Sequence, residues 1–366
     1  MKIRCGIVGL PNVGKSTLFN ALTTAGVDAS NYPFCTIDPN IHSVAVPDAR
    51  LATLAGIMQT QTFIPSLIEF VDIAGLVEGA SQGEGLGNKF LGHIRETDAI
   101  VHVVRCFDNN EIAHVTNTID PSSDIKTINT ELLLADTQTV ERNLNRAEKG
   151  SKAAHKGASE QRDFFKTLLQ HLDQSRPARE FRSTTEEANL WFRDLRLLTA
   201  KPTLYVANID EPSILSGNSY SDDVAGYLGH NQDFDLILIC GALESELSLI
   251  EGDEKSAFLQ DLNLKEPALN RLIKSCYKLL GLQTFFTTDS KKIRAWSVKV
   301  GTKAPNAAGV IHSDFERGFI CAEVISYTDY TQFMGEQGCK IAGKLRLEGK
   351  DYILSEGDVI HFRFNV

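Results

Sequence analysis

The sequence predicts an α/β protein: a doubly wound parallel sheet carrying a phosphate-binding loop, interrupted by an α-helical insertion and followed by a small β-rich domain. Three observations predict it. Gly9-Leu10-Pro11-Asn12-Val13-Gly14-Lys15-Ser16 matches G-x-x-x-x-G-K-[ST] between an apolar strand-like run and a helix start, the context that gives this motif meaning. Apolar, β-branched runs recur between helical patterns at Lys2–Gly9, Leu67–Val71, Ala99–Cys106, Thr203–Asn208 and Leu236–Cys240, as in a parallel sheet with helical crossovers. That alternation breaks over residues 128–200, and the composition shifts again near Gly281.

The first run and its loop form a P-loop. Its glycines let backbone N–H groups close around phosphate oxygens, and the following helix N-terminus adds partial positive charge. Residues Asn12, Val13, Gly14, Lys15, Ser16 and Thr17 are the expected phosphate contacts, with Lys15 reaching the β- and γ-phosphates and Ser16 ligating Mg²⁺. An Asn inside such a loop can also help hold a monovalent cation, which makes K⁺ a second candidate ion at Asn12. The loop-like segment Asn31–Asn40 offers Thr36 as a further Mg²⁺ ligand in the triphosphate state; Thr23 and Thr24 compete for that role but lie in the helix after the P-loop.

Asp72-Ile73-Ala74-Gly75 follows the second run. D-x-x-G at a strand end is how P-loop switch proteins hold Mg²⁺ through water, here by Asp72, and sense the γ-phosphate, here by the Gly75 N–H. The next residue is Leu76, where Ras-type proteins place a water-orienting Gln. Hydrolysis is therefore slow or another group activates the water. His114, in the polar loop after Ala99–Cys106, is a candidate catalytic base, and a surface His with no role is the competing reading.

Residues 128–200 read as antiparallel helices inserted between two strands, coiled-coil-like but too short in apolar repeat to require a coiled coil. The pattern starts at Ile128, is interrupted at Gly150 and Gly157, and resumes at Phe164. Arg142 to Arg182 holds ten Lys/Arg against five Asp/Glu, a local +5 on a chain of net charge −10. Such a segment is either a polyanion footprint or a solvated helical face.

Asn208-Ile209-Asp210-Glu211 ends the fourth run where GTPases carry N-K-x-D. Their Asp accepts from guanine; Glu211 is one methylene longer and Ile209 replaces the Lys, so guanine readout is impaired and ATP is expected in preference to GTP. Gly241, after the fifth run, is expected to touch the base through its backbone. Downstream of Gly281, the stretches Arg294–Val300, Phe319–Val324 and Val359–Phe364 are separated by turn signals and form the β-rich domain.

The 366 residues are enough for two or three cored domains, and 42% hydrophobic with 23% charged is an ordinary globular composition. No apolar run approaches the ~20 residues of a membrane span. Seven cysteines without a Cys-x-x-Cys pair point to reduced thiols in a cytoplasmic protein. The N-terminus runs straight into the first strand, leaving no room for a signal peptide.

Together, Gly9–Ser16, Asn31–Asn40, the Gly-rich run Asp72–Asn88 and Asn208–Glu211 resemble the YchF/Obg-like ATPase family, of the Obg group of translation-factor P-loop NTPases. Ala304–Phe315, continuing into Glu316-Arg317-Gly318-Phe319, is similar to that family's TGS domain. The match runs in order over essentially the whole chain. It implies an OBG-type G domain at 1–127 and 201–280, a helical arm at 128–200 and a β-grasp TGS domain at 281–366. It also implies Mg²⁺, hydrolysis of ATP promoted by His114, base contact near Ile209, and ribosome association in the cytoplasm. The chain departs from the family at Cys240-Gly241-Ala242, where such proteins often have Ser-Ala-Lys, and at the short arm turn Gly150–Gly157. The resulting expectation is a ribosome-associated ATPase switch that contacts rRNA or ribosomal protein through arm and TGS domain, monomeric and without membrane contact. An Obg-type GTPase or a nucleotide-binding adaptor of negligible turnover are the alternatives; a metabolic kinase fits the Gly-rich switch poorly.

Overall fold

The central strands of the first sheet have no polar face. In β5 (Ala99–Cys106) and β6 (Thr203–Ile209) every residue is buried, as in parallel strands covered by helices on both sides. The computed structural model describes residues 3–24, 40–73, 86–109, 111–112, 118–152, 157–229, 236–289 and 292–365. The sheet runs β2 (Ile41–Ala45), β4 (Leu67–Asp72), β1 (Arg4–Val8), β5, β6, β7 (Leu236–Ile239). All neighbours are parallel except β2, which pairs antiparallel with β4 at the edge. The doubly wound sheet is thus as expected, with the edge strand Ile41–Ala45 as an addition. Successive residues of β6 serve opposite cores: Leu204 and Val206 pack with α1 (Lys15–Thr24), α3 (Leu86–Arg95) and α10 (Ala268–Leu279). Tyr205, Ala207 and Ile209 pack instead with α7 (Ser219–Leu228) and α8 (Gly241–Leu247), and Phe258 of α9 (Gly252–Asp261) lies against the same cluster.

The helical insertion is built on a single long helix, α4 (Pro121–Lys152). Its 32 residues span about 48 Å at 1.5 Å each. It begins at Pro121, seven residues before the expected start at Ile128, because proline suits the first helical turn and the polar residues after it hid the pattern. Gly150 does not interrupt it. The first half buries Ile125, Ile128, Leu132 and Ala135 in the cores of the sheet; the second half packs Val140 and Ala147 on Phe165, Leu168 and Leu172 of α5 (Ala158–Asp173). The position 127/128 therefore falls inside a helix shared by sheet and arm. Phe164 adds ring contacts to Phe181 and to Trp191 of α6 (Glu186–Asp194).

Where arm meets sheet, the fully buried Asp136 accepts hydrogen bonds from Leu198 N (2.8 Å), Thr199 N (2.8 Å) and Thr199 Oγ1 (2.7 Å). Burial pushes its pKa up while these donors oppose the shift. One carboxylate thus ties the middle of α4 to the chain returning toward β6.

The second sheet runs β11 (Arg346–Glu348), β10 (Phe319–Ile325), β12 (Val359–Phe364), β8 (Leu282–Asp289), β9 (Lys292–Lys299), β3 (Phe63–Ile64). A β8–β9 hairpin, a β10–β11 pair and a last strand lying between them, parallel to β8, form the expected β-grasp. Adjacent residues Phe285 and Phe286, both 0% exposed, face opposite sides. Phe285 packs on α11 (Ala304–Ile311), which α12 (Ser313–Arg317) follows. Phe286 packs on Leu51, Leu54 and Ala55 of α2 (Arg50–Met58), with Tyr330 of α13 (Tyr327–Gln332) and Cys339 of α14 (Glu336–Ile341). Thus α2 and β3, from the N-terminal part of the chain, complete the C-terminal sheet. Arg50 fastens them: it pairs with Asp48 and with Glu356 and lies 5.0 Å from the Phe286 ring centre. All cysteines among the described residues are free thiols, and no described helix is long and apolar enough to cross a membrane.

Asp136→Ala leaves buried donors at Leu198 and Thr199 without an acceptor, each worth about 1–3 kcal/mol. The expected result is much faster hydrogen exchange at the Leu198 and Thr199 amides with exchange in β1 and β5 unchanged. Unaltered exchange at those amides would show that Asp136 does not secure the arm.

Candidate nucleotide site

At the carboxyl ends of β1, β5, β6 and β7 a cavity of about 650 Å³ opens, the place where open α/β sheets bind ligands. Its first wall is the P-loop: Asn12, Gly14, Lys15, Ser16 and Thr17. Ser16 and Thr17 are exposed, whereas the Val13 side chain is 1% exposed and belongs to the core, so only its backbone is offered to a ligand. Gly9 is required by close approach, since a Cβ there would lie 2.5 Å from Val103 O. Gly14 has φ +96°, and a Cβ on it would collide with Asn208 Nδ2. Asn12 also adopts a positive φ of 62°.

Lys15 is 8% exposed and donates from Nζ to Leu10 O at 2.6 Å. Burial lowers its pKa to about 8, and the nearby Asp72 opposes that shift. Asp72, at the end of β4, has the reciprocal problem: burial raises its pKa and Lys15 opposes the rise. Among the described residues Asp72 Oδ1 is buried with no hydrogen-bond partner. An anionic ligand at Lys15 and a cation at Asp72 would each relieve a desolvated charge.

The second wall comes from β6 and β7. The Asn208 carboxamide does not hang free in the cavity: Nδ2 donates to Val13 O (2.9 Å), and Oδ1 accepts from Gly241 N (3.0 Å). It braces the P-loop against the start of α8. The Ile209 side chain is 2% exposed and packed in the core, so the position that carries Lys in GTPases offers no charge to a base. Asp210 and Glu211 follow, Glu211 exposed in a short turn with Pro212. Opposite them lie Cys240, Gly241, Ala242 and Leu243. Glu244, 1% exposed, fixes this loop by accepting from Ala268 N (2.7 Å) and Leu269 N (3.3 Å) at the start of α10.

The third wall comes from the loop after β5, which the sequence offered only as the setting of His114 and not as a cavity wall. Phe107, Asp108, Asn109 and Ile112, after β5, line the cavity. The buried Arg105 in an apolar strand was the available signal. The expected residues therefore gather as follows: Asn12, Gly14, Lys15, Ser16, Thr17, Asn208, Ile209, Glu211 and Gly241 border one cavity, Val13 stands behind it in the core, and Asp72 lies beside Lys15. Thr36, Gly75 and His114 lie outside the described residues.

A family model described as 50S ribosome-binding GTPase matches residues 4–208, and the model for the YchF C-terminal domain, described as a protein of unknown function (DUF933), matches residues 282–365. The ribosome-binding ATPase YchF of Haemophilus ducreyi is 54% identical over 366 residues, covering 100% of each chain. The Bacillus subtilis protein of the same name is 50% identical over 368 residues, again over 100% of each chain. The solved structure of the Schizosaccharomyces pombe YchF GTPase has a TM-score of 0.89 at 37% identity, covering 99% of this chain and 98% of that one.

Asn208→Ala removes the brace between P-loop and α8. By the scale of buried hydrogen bonds, nucleotide affinity should fall about tenfold or more. Titration calorimetry reads this directly, and an unchanged Kd would show that the P-loop holds its shape without Asn208.

Proposed function

The chain belongs to the YchF family, and on that premise we propose that it is a ribosome-associated P-loop ATPase that converts ATP to ADP and phosphate and acts as a nucleotide-dependent switch. One observation carries the ATP assignment: beside the P-loop, β6 ends in Asn208-Ile209-Asp210-Glu211, with Ile209 buried and the Asn208 amide engaged by the protein itself. Guanine discrimination depends on hydrogen bonds built for its N1–H and 2-amino groups; with Glu211 a methylene longer than the Asp that makes them in GTPases, that readout is impaired and the discrimination against adenine falls.

In this reading Lys15 leaves Leu10 O for the β- and γ-phosphates, which the P-loop N–H groups and the start of α1 would also hold. The oxygen-only donors Ser16 and Asp72, with Asp72 Oδ1 unpartnered among the described residues, suit Mg²⁺, a hard cation that keeps several waters. Ser16 would ligate it directly, Asp72 through water, and Thr36 in the triphosphate state; K⁺ beside Asn12 is the second proposed ion. When bound, Mg²⁺ supplies charge neutralisation on the phosphate oxygens. His114 is the proposed water-activating residue and Gly75 the proposed γ-phosphate sensor.

The switch proposal draws on α2 and β3. They lie between β2 and β4, the strands that flank the Thr36 and Asp72 segments, yet their apolar side chains belong to the C-terminal sheet. A change at the phosphates therefore has a covalent and packed route to that domain. The arm and the TGS domain are the proposed ribosome contacts, the protein acting as a cytoplasmic monomer. A second reading has its own support: Asp210 and Glu211 are both at the cavity, so a carboxylate is still available to guanine, as in an Obg-type GTPase.

Calorimetric titration of ATP and GTP, each with Mg²⁺, separates the two. ATP tighter by about tenfold, some 1.4 kcal/mol, is expected; GTP tighter would assign Glu211 as guanine acceptor. For the ribosome, charge reversal at the exposed Arg142, Arg146 and Lys149 of α4 should weaken co-sedimentation with purified ribosomes at low salt. Full pelleting of that variant would move the contact away from the arm.

A further inference from the structure

Arg105 stands next to last in β5, among residues that are otherwise almost all apolar. It is 1% exposed, the largest fully buried side chain of the described protein. Its guanidinium pairs with no carboxylate among the described residues. Instead Nε donates to Phe107 O (3.2 Å), Nη1 to Ile112 O (3.0 Å) and Nη2 to Asn109 O (3.1 Å), and its central carbon lies 4.7 Å from the Phe107 ring centre. Burying a cation without a counter-ion is unfavourable unless its donors are met, and only the planar fork of Arg meets several carbonyls at fixed angles.

All three acceptors belong to one loop. Asn109 tightens it further: its Oδ1 accepts from Glu111 N (2.8 Å), and its carbonyl accepts from Ile112 N (3.2 Å) as well as from Arg105. With its carbonyls drawn onto Arg105, the loop presents Phe107, Asp108, Asn109 and Ile112 to the cavity. Two apolar side chains and a carboxylate suit a nucleoside and repel a polyphosphate. The P-loop supplies the opposite chemistry. Resting on the nucleotide reading above, we propose that Arg105 is a positioning residue that builds the nucleoside-binding wall of this site, acting through the Phe107–Ile112 loop without touching the ligand.

The test compares ATP with inorganic tripolyphosphate, each with Mg²⁺, by calorimetric titration into the full chain. Wild type should bind ATP more tightly. Arg105→Met should weaken ATP about tenfold or more, the scale of losing a charge-assisted hydrogen bond, and leave tripolyphosphate affinity unchanged. Arg105→Lys, with a point charge in place of the fork, should recover only part of the loss, and it carries the test if the Met variant does not fold. An unchanged ATP affinity in both variants, or equal weakening of ATP and tripolyphosphate, overturns the inference. Wild-type protein that binds tripolyphosphate as tightly as ATP overturns the nucleotide reading itself, a separate outcome.

Discussion

A phosphate-binding loop works only if its backbone keeps an open shape around the ligand, and here one carboxamide braces that shape. Asn208 holds the Val13 carbonyl from one side and the Gly241 N–H from the other. Gly14 must be glycine because the amide occupies the space a Cβ would need. The loop, the end of β6 and the start of α8 are in this way one unit, and Glu244 extends it to α10. Asn208 is paired in register with Arg105 on the neighbouring strand. Two buried polar side chains, side by side where the parallel strands end, therefore shape opposite parts of one cavity.

Elsewhere the domains are joined by shared elements. Helix α4 is a sheet-covering helix for its first half and an arm helix for its second, with Asp136 securing the transition. Helix α2 and strand β3 are chain-neighbours of the nucleotide-binding strands but packing neighbours of Phe286 and Ile293. Because packed cores rearrange between discrete states more readily than they deform, such shared elements are the natural route by which one domain feels another.

Four of the buried charges divide in two: two are met by fixed dipoles and two are left for a ligand. Arg105 has three carbonyls and Asp136 has three donors. Lys15 has one carbonyl, and Asp72 Oδ1 has none among the described residues. The first two serve structure; the last two are where nucleotide and cation chemistry would complete the site.

Much was legible before the structure. The strand runs, the P-loop, Asp72 and the Asn208–Glu211 motif depend on local period and on spacing along the chain, and those are properties of the sequence itself. The β-grasp order followed from the resemblance at Ala304–Phe319. Less legible were the start of α4, hidden by the polar Ser122-Ser123-Asp124, and strands β2, β3 and β8, whose short or amphipathic runs look like loops. What only the tertiary structure decided is where the polar side chains spend their hydrogen bonds: Asn208 on two backbones, Arg105 on one loop, Asp136 on a segment more than sixty residues away. A sequence determines which groups must be satisfied when buried; which partner satisfies each is decided only when distant segments are brought together, because hydrogen bonds act over a few ångströms and carry no signature along the chain.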